Sequence, residues 1–448
     1  MAKKNYSRTA FLASLAFVVF VYGVAVGRYQ IFPYSVLDYL HSSFVKVFKE
    51  REMVLALRPV GHLHKIRYPG EDVTQFDADR MAPGLTFITR FYNDKNEMRL
   101  IRPDGSLVNQ WFVSFLEVFP NPTHIKPKGL TPRSDWHSMV HGALLLPDGS
   151  AVFNFDYNGM VKMDRCGKVI WALPIMSHHS LELAEDGSFW VPGRRYVESE
   201  PKFLPVGAPY LEDMLLNISA DGEILTEISV PSLLIDNDLL RSIYLSDGQL
   251  NIGVKQFWFA NVSELVHLND IEELGSKFAG RFPQFKAGDL LISLRNRHLI
   301  MVVDPGTRTV KWHQTGPWIR QHDPDFTSRG TISIFNNNTD MTTSGEVFGG
   351  SNIMDLDPAS RHVNILYGGK QDQKMYTGAF GKHQVIETDK GENVLITETE
   401  GGRILEIDST GNIAWEFINK YDDQDVAKIT QAIRYPTDYF QLQDWSCQ

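Results

Sequence analysis

Cysteine is almost absent from this chain, with only Cys166 and Cys447 in 448 residues. Two thiols exclude a Cys-rich metal module. In an oxidising compartment they could pair and tie the C-terminal tail to an early part of the body, the alternative being two unpaired buried thiols. Positive charge is also scarce. Lys and Arg number 44 against 54 Asp and Glu, a formal net charge of −10, so no broad cationic face for nucleic acid is expected. What the chain does have is 34 Gly, 22 Pro and 12% aromatic residues, a composition that suits many short strands joined by tight turns.

One long apolar run stands near the start. Lys3, Lys4 and Arg8 precede an uncharged stretch from Ala10 to Gly27. As a helix it would reach roughly 27 Å, close to a bilayer's hydrocarbon core. Cations ahead of it favour a cytoplasmic N-terminus and an exported body. We expect a retained signal anchor over residues 1–28 and a body on the extracytoplasmic (periplasmic) side. A cleaved signal peptide ending at Ala25-Val26-Gly27 is the alternative. Apolar residues at Val36, Leu37, Leu40, Phe44, Val45, Val47 and Phe48 then follow helical spacing. Residues 29–80 therefore read as a short membrane-proximal helical linker, with His41, His62 and His64 in packing or surface roles.

From there on the chain repeats itself. A strand ending in Asp, a turn and a strand often ending in Trp recur as "RPDGSLVNQW" (Asp104), "MDRCGKVIWAL" (Asp164), "SADGEILTEI" (Asp221), "VDPGTRTVKWHQ" (Asp304), "LDPASRHVNIL" (Asp357) and "IDSTGNIAWEF" (Asp408), at intervals of 60, 57, 83, 53 and 51 residues. Asp, Gly and Asn suit such turns because they tolerate positive φ or bond back to the backbone. Units of this length hold four strands each, and six of them define an all-β fold: a six-bladed β-propeller over residues 81–448. The long interval implies an insertion, with "QFWFANVSEL" and "GSKFAGRFPQFKAG" as candidate loops.

A second signal runs in phase with the first. Five units carry a histidine ahead of a strand: His141, His179, His267, His322 and His383. The first unit lacks it and shows "PGLTFITRF" instead. One strand of each blade lines the central channel, so equivalent positions meet around one axis, and five phased histidines imply a ring at the channel mouth. Arg295, in "LLISLRNRH", belongs to the same region, although Arg297 shares its strand face. Asn269, Asp270 and Asp323 flank the histidines and are expected to orient imidazole. Neutral imidazoles can bind metal, but a fixed guanidinium would repel the ion. Arginine's fork instead matches the oxygens of sulfate or phosphate, and an imidazole can act as nucleophile.

The stretches "HLNDIEEL…GDLLISLRNRHLIMVVDPGTRTVKW…QHD…GTISIFNNN", "APGLTFITRFYNDKNEMRLIRPDGSLVNQW" and "HQVIETDKGENVLITETEGGRILEIDSTGNIAWEF" resemble the arylsulfotransferase family over roughly residues 80 to 437. The resemblance implies a six-bladed propeller that moves a sulfuryl group from a phenolic sulfate to another phenol through a sulfohistidine, with no nucleotide sulfate and no cofactor. It makes His322 of "QHD" the nucleophile, sets His267 of "HLND" and Arg295 of "SLR" on the sulfuryl oxygens, and puts His179 on the acceptor side, with His178 as a substitute. His141, His178, His383, Asn269 and Arg297 would complete the substrate space. The implied partners are an aryl sulfate and a phenolic acceptor, with the membrane held by the N-terminal helix. The family's soluble enzymes carry an N-terminal β-domain where this chain offers an anchor. Its dimer is therefore in doubt, and a homo-oligomer or a membrane-complex partner stays open. The rival reading is a non-catalytic anchored propeller serving as a scaffold. Asn217, Asn261 and Asn337 begin glycosylation sequons.

Overall fold

The structure, a computed structural model, describes residues 6–29, 31–34, 36–37, 40–41, 55, 57–199, 209–244, 263–340, 342–442 and 444–447. Residues up to Arg58 form one compact unit and Pro59–Gln448 a second. In the first, helix α1 (Tyr6–Tyr29) holds the apolar run. Its 24 residues reach about 36 Å. By length and composition it is apolar enough to cross a membrane. Most of the helix expected between residues 34 and 57 lies outside the described residues.

In the second unit the strands form six antiparallel blades. Blade 1 joins residues 429–435, 85–92, 95–101 and 107–113, written from the inside outward. Blade 2 is 140–145, 151–155, 159–163 and 169–173. Blade 3 is a broken inner strand, 176–177 and 182–183, followed by 189–197, 210–218 and 224–229. Blade 4 is 268–273, 290–294, 299–304 and 309–315; blade 5 is 322–326, 332–336, 352–356 and 363–367. Blade 6 is 382–388, 391–398, 403–407 and 413–418, widened by an outer strand from residues 72–76. The six-bladed reading therefore stands, and each of the six Asp turns joins the third strand of a blade to its fourth.

Two assignments change. The inner strand of blade 1 comes from the far C-terminus, where Ile433 pairs with Phe87, so "PGLTFITRF" leads into a second strand rather than standing in for a histidine-bearing one. Residues 59–80, placed in the linker from sequence, belong to the propeller unit, with Leu63 paired to Ala427 and Phe76 to Trp415. The insertion loop "GSKFAGRFPQFKAG" connects the first two strands of blade 4 and carries a short helix, Ser276–Ala279, while residues 256–262 of "QFWFANVSEL" lie outside the described residues.

The hydrophobic core lies between blades rather than at the axis. Phe87, Trp111, Phe153 and Phe155 fill the seam of blades 1 and 2, and Leu215, Leu268, Leu290 and Met301 that of blades 3 and 4. The outer-strand tryptophans also staple neighbours polar-end first. The Nε1–H of Trp111 donates to Asp164 O (3.0 Å), Trp171 to Ala220 O (3.0 Å), Trp312 to Pro358 O (2.9 Å) and Trp415 to Pro103 O (2.8 Å). Each acceptor sits in the Asp turn of the next blade. Blade 3 lacks such a tryptophan, and Asn237 does the same work, donating to Arg308 O and accepting from Val310 N of the blade 4 turn. Cys166 and Cys447 are bonded, fixing the C-terminal tail beside the blade 2 turn.

Candidate active site

The inner strands deliver their leading residues to one end of the channel, and there four of the phased histidines meet. The rings of His141 and His179 lie 4.4 Å apart, those of His179 and His267 4.9 Å, and those of His179 and His322 6.0 Å. His178 joins through its Nδ1, 2.8 Å from His179 Nδ1, and His179 Nε2 lies 3.2 Å from His267 Nε2. Close approach of backbone makes this crowding possible. A Cβ on Gly142 would sit 2.2 Å from the His179 carbonyl oxygen, so the residue after His141 has no room for a side chain. Strain collects in the same place. Tyr157, His179, His267, Arg320, Asp323 and Phe380 all take left-handed φ between 51° and 64°. Each such non-glycine residue costs on the order of 1–3 kcal/mol, which the surrounding fold must offset. For His267 part of that comes from its N–H donating to Asp213 Oδ2 at 3.1 Å.

Hydrogen bonds fix the state of His322. Its Nδ1 lies 2.6 Å from Asn337 Oδ1 and 3.2 Å from Arg320 O. The Asn337 amide cannot turn over, because its Nδ2 donates to Thr377 O (2.9 Å) and Phe380 O (2.7 Å). Both neighbours of Nδ1 are therefore acceptors, Nδ1 carries the proton, and the Nε2 lone pair is left to react. Burial and then the Arg295 charge hold the His322 pKa well below the ordinary imidazole range, so the ring is neutral at neutral pH. His267 is depressed in the same way, by burial and then Arg295, and His178 and His179 by burial and their neighbours. His141 donates through Nδ1 to Asp156 Oδ1 at 3.1 Å.

Arg295 opens a short 3-10 turn (Arg295–Arg297) at the end of the second strand of blade 4, its N–H bonded to His267 O at 2.9 Å. The turn breaks the strand alternation that left the two arginines equivalent: Arg297 spends its guanidinium on the carbonyls of Leu265 and Asn296, in a packing role. Asn269 likewise faces away, donating to Gln321 O at 2.8 Å. His383 stands apart from the other four. Its Nδ1 meets Asp323 Oδ2 (3.2 Å) and its Nε2 Ser333 Oγ (2.8 Å). It lines a cavity of about 240 Å³ further along the inner strands, together with Glu182, Asp270, Glu272, Asp325 and Lys382. Asp323 and Asp270 thus serve this acidic chamber, bracketing Lys382, rather than orienting His322 or His267.

Several residues of the site carried no sequence signal. Asn337 read only as a sequon. Asp156 and Tyr157 form the turn after the second strand of blade 2, and Arg194 packs over the Tyr157 ring at 4.1 Å with its Nε 3.7 Å from Asp213. Lys428 fills the slot in blade 1: its carbonyl accepts the N–H of Phe91 at 3.1 Å, as that of His267 accepts Arg295 in blade 4. His141, Asp156 and His179 offer three donor atoms within 4.8 Å of one another, a spacing one cation can span, yet both ring nitrogens of His179 are already shared with His178 and His267.

Fold and site together define a six-bladed propeller with a histidine cluster and a buried arginine at one end of its channel. Residues 142–420, more than half the chain, match the family model described as arylsulfotransferase (ASST), and the chain belongs to that family. No protein with a curated description matches it. Among solved structures it is similar to a streptogramin B lyase (13% identity over 63% of this chain and 69% of that one, TM-score 0.36), to a nidogen/laminin complex (10%, 78% and 97%, 0.41) and to the Cps50 (Swd1) propeller domain of Myceliophteria thermophila (10%, 80% and 90%, 0.39). At those scores the likeness informs neither the fold nor the function of this chain.

Proposed function

We propose that the channel end transfers a sulfuryl group from an aryl sulfate to a phenolic acceptor by a ping-pong reaction through His322. The observation that carries this is the fixed tautomer: Asn337 and Arg320 hold the proton on Nδ1, and Nε2 is left as a neutral nucleophile. In the first half, the Nε2 lone pair attacks sulfur, the bond from sulfur to the aryl oxygen breaks, and the phenolate leaves. In the second half, the acceptor's O–H yields its proton to a neighbouring imidazole and its oxygen attacks sulfur. The S–N bond breaks and its electron pair returns to Nε2. Charge spreads over the sulfuryl oxygens at each transition state, where the Arg295 guanidinium and the His267 imidazole are suited to receive it. The His178–His179–His267 chain, each contact sharing one proton, gives protons a route between leaving group and acceptor. No nucleotide sulfate or other cofactor enters. In the same reading α1 is a retained anchor and the propeller works on the extracytoplasmic side.

Incubation with a chromogenic aryl sulfate and no acceptor is expected to add one sulfuryl group at His322, seen by intact-mass analysis and absent in His322→Ala. Turnover without any adduct would remove the covalent step. Inertness across a broad donor panel would leave the propeller as a binding scaffold.

A further inference from the structure

Two lysines among the described residues stand at inner-strand starts and are not used by the reaction above: Lys382 of blade 6, which is bracketed by Asp270 and Asp323, and Lys428. The latter stands at the blade 1 position of the ring, immediately before the strand 429–435, and the fold holds it there from both sides. Its N–H donates to His62 O at 2.9 Å, and the adjoining residues 425–427 pair with the strand 63–65. Its ammonium reaches inward rather than out. Nζ lies 5.0 Å from the centroid of Phe380, a blade 6 residue whose ring is 4.9 Å from that of His141 in blade 2. No carboxylate of the described residues comes within ion-pair distance of it. The two acids whose charge it feels, Glu400 and Asp156, are committed elsewhere, Glu400 Oε2 accepting from Gly378 N at 2.7 Å and Asp156 Oδ1 from His141. The other basic groups facing it add nothing: burial, then Lys428 itself, hold His62 and His64 at a pKa of about 3, and Arg67 is paired to Glu398 at 3.3 Å. Half-buried and without a counter-ion, an ammonium at this spot costs free energy that a bound anion would offset.

The position says which anion. The sulfuryl group is already provided for, with Arg295 on the His267 and His322 side of the cluster. Phe380 links the two regions, since its carbonyl is bound by the Asn337 amide that orients His322 while its ring carries the Lys428 ammonium. A ligand reaching from His322 past the His141 ring to Phe380 would meet both. We infer that Lys428, beside Phe380, is a specificity residue that takes the carboxylate of an anionic phenol serving as acceptor, an inference that rests on the sulfuryl-transfer reading. A compact ammonium with three donors suits a single carboxylate, whereas the planar fork of an arginine favours the multiple oxygens of a sulfuryl group.

The test compares 4-hydroxyphenylacetate with its methyl ester as acceptors for one chromogenic aryl sulfate, so that ring and phenol are matched and only the charge differs. The full-length wild type is expected to show the higher kcat/KM for the acid. In Lys428→Met the acid-to-ester ratio should fall about 10- to 100-fold, the loss that goes with a charge-assisted hydrogen bond, and Lys428→Arg should recover much of it. An equal loss for both acceptors, or a wild type indifferent to the charge, overturns the inference while leaving sulfuryl transfer in place. A wild type that transfers to neither acceptor and forms no adduct overturns the parent reading as well.

Discussion

Asn337 opens an Asn-Asn-Thr triplet that as sequence suggests a glycan acceptor, yet its side chain is fully buried and carries the orientation of His322. The reason it was illegible is physical. The tautomer is fixed by the Asn337 amide, 15 positions from His322 and itself held by the carbonyls of Thr377 and Phe380 some 40 positions further on, together with the nearby Arg320 carbonyl, and none of these contacts has a spacing rule. By contrast, His141, His179, His267 and His322 announce themselves, because the blade repeat brings their positions into phase. His383 shares the phase but turns its ring to Asp323 and Ser333 and so leaves the cluster, a difference that periodicity cannot see. If Asn337 acts by holding the proton on Nδ1, Asn337→Ala should lower kcat about 10- to 100-fold, the range for losing an outer partner that orients an imidazole, with KM little changed. Steady-state kinetics with a fixed aryl sulfate checks it. A drop confined to KM would mean that Asn337 shapes binding instead.

Between residue and molecule, the turn carries the architecture. The Asp turns were readable because their chemistry is local: Asp104, Asp164, Asp304, Asp357 and Asp408 each accept the N–H two residues on, closing the turn with no help from elsewhere. What could not be read was which strand closes the ring, since the pairing of 429–435 with 85–92 joins opposite ends of the polymer. The tryptophans lie between these cases. Their recurrence is visible, but their function, a hydrogen bond into the next blade's turn, exists only once the blades are neighbours. Trp415 spans the seam between blade 6 and blade 1, where closure is completed. Trp415→Phe keeps most of the buried ring and strands the Pro103 carbonyl, so it should destabilise the propeller by about 1 kcal/mol. A urea titration should show a lower midpoint at an unchanged slope. A midpoint equal to wild type would make the staple decorative.

Across the whole channel, two buried titrating groups pull stability in opposite directions with pH. At one end buried imidazoles are depressed. His62 and His64 are held at about 3 by burial and then Lys428, against 6.5 in an unfolded chain, and His178, His179, His267 and His322 are depressed as well. A depressed histidine contributes stability that is complete above 6.5 and is lost as pH falls, because the unfolded chain binds the proton first. Further along the axis the carboxyls behave the other way. Burial, then neighbouring acids, raise Glu182 to about 8; burial, only partly opposed by Lys382, raises Asp270 to about 6; Glu272 and Asp325 are raised too. Their contribution is complete below the unfolded carboxyl values and is lost as pH climbs through the folded ones. Asp323 is the exception, since Lys382 and His383 overcome its burial and keep it ionised at about 2. The molecule should therefore be most stable at mildly acid to neutral pH and weaken on both sides, the acid limb belonging to the histidine end and the alkaline limb to the acidic chamber. Glu182→Gln removes one carboxyl from the chamber, so its urea midpoint should exceed that of wild type at pH 9 and approach it at pH 4, where both side chains are neutral. A variant less stable than wild type at pH 9 would show that Glu182 is ionised and paired in the fold, and the alkaline limb would then need another origin.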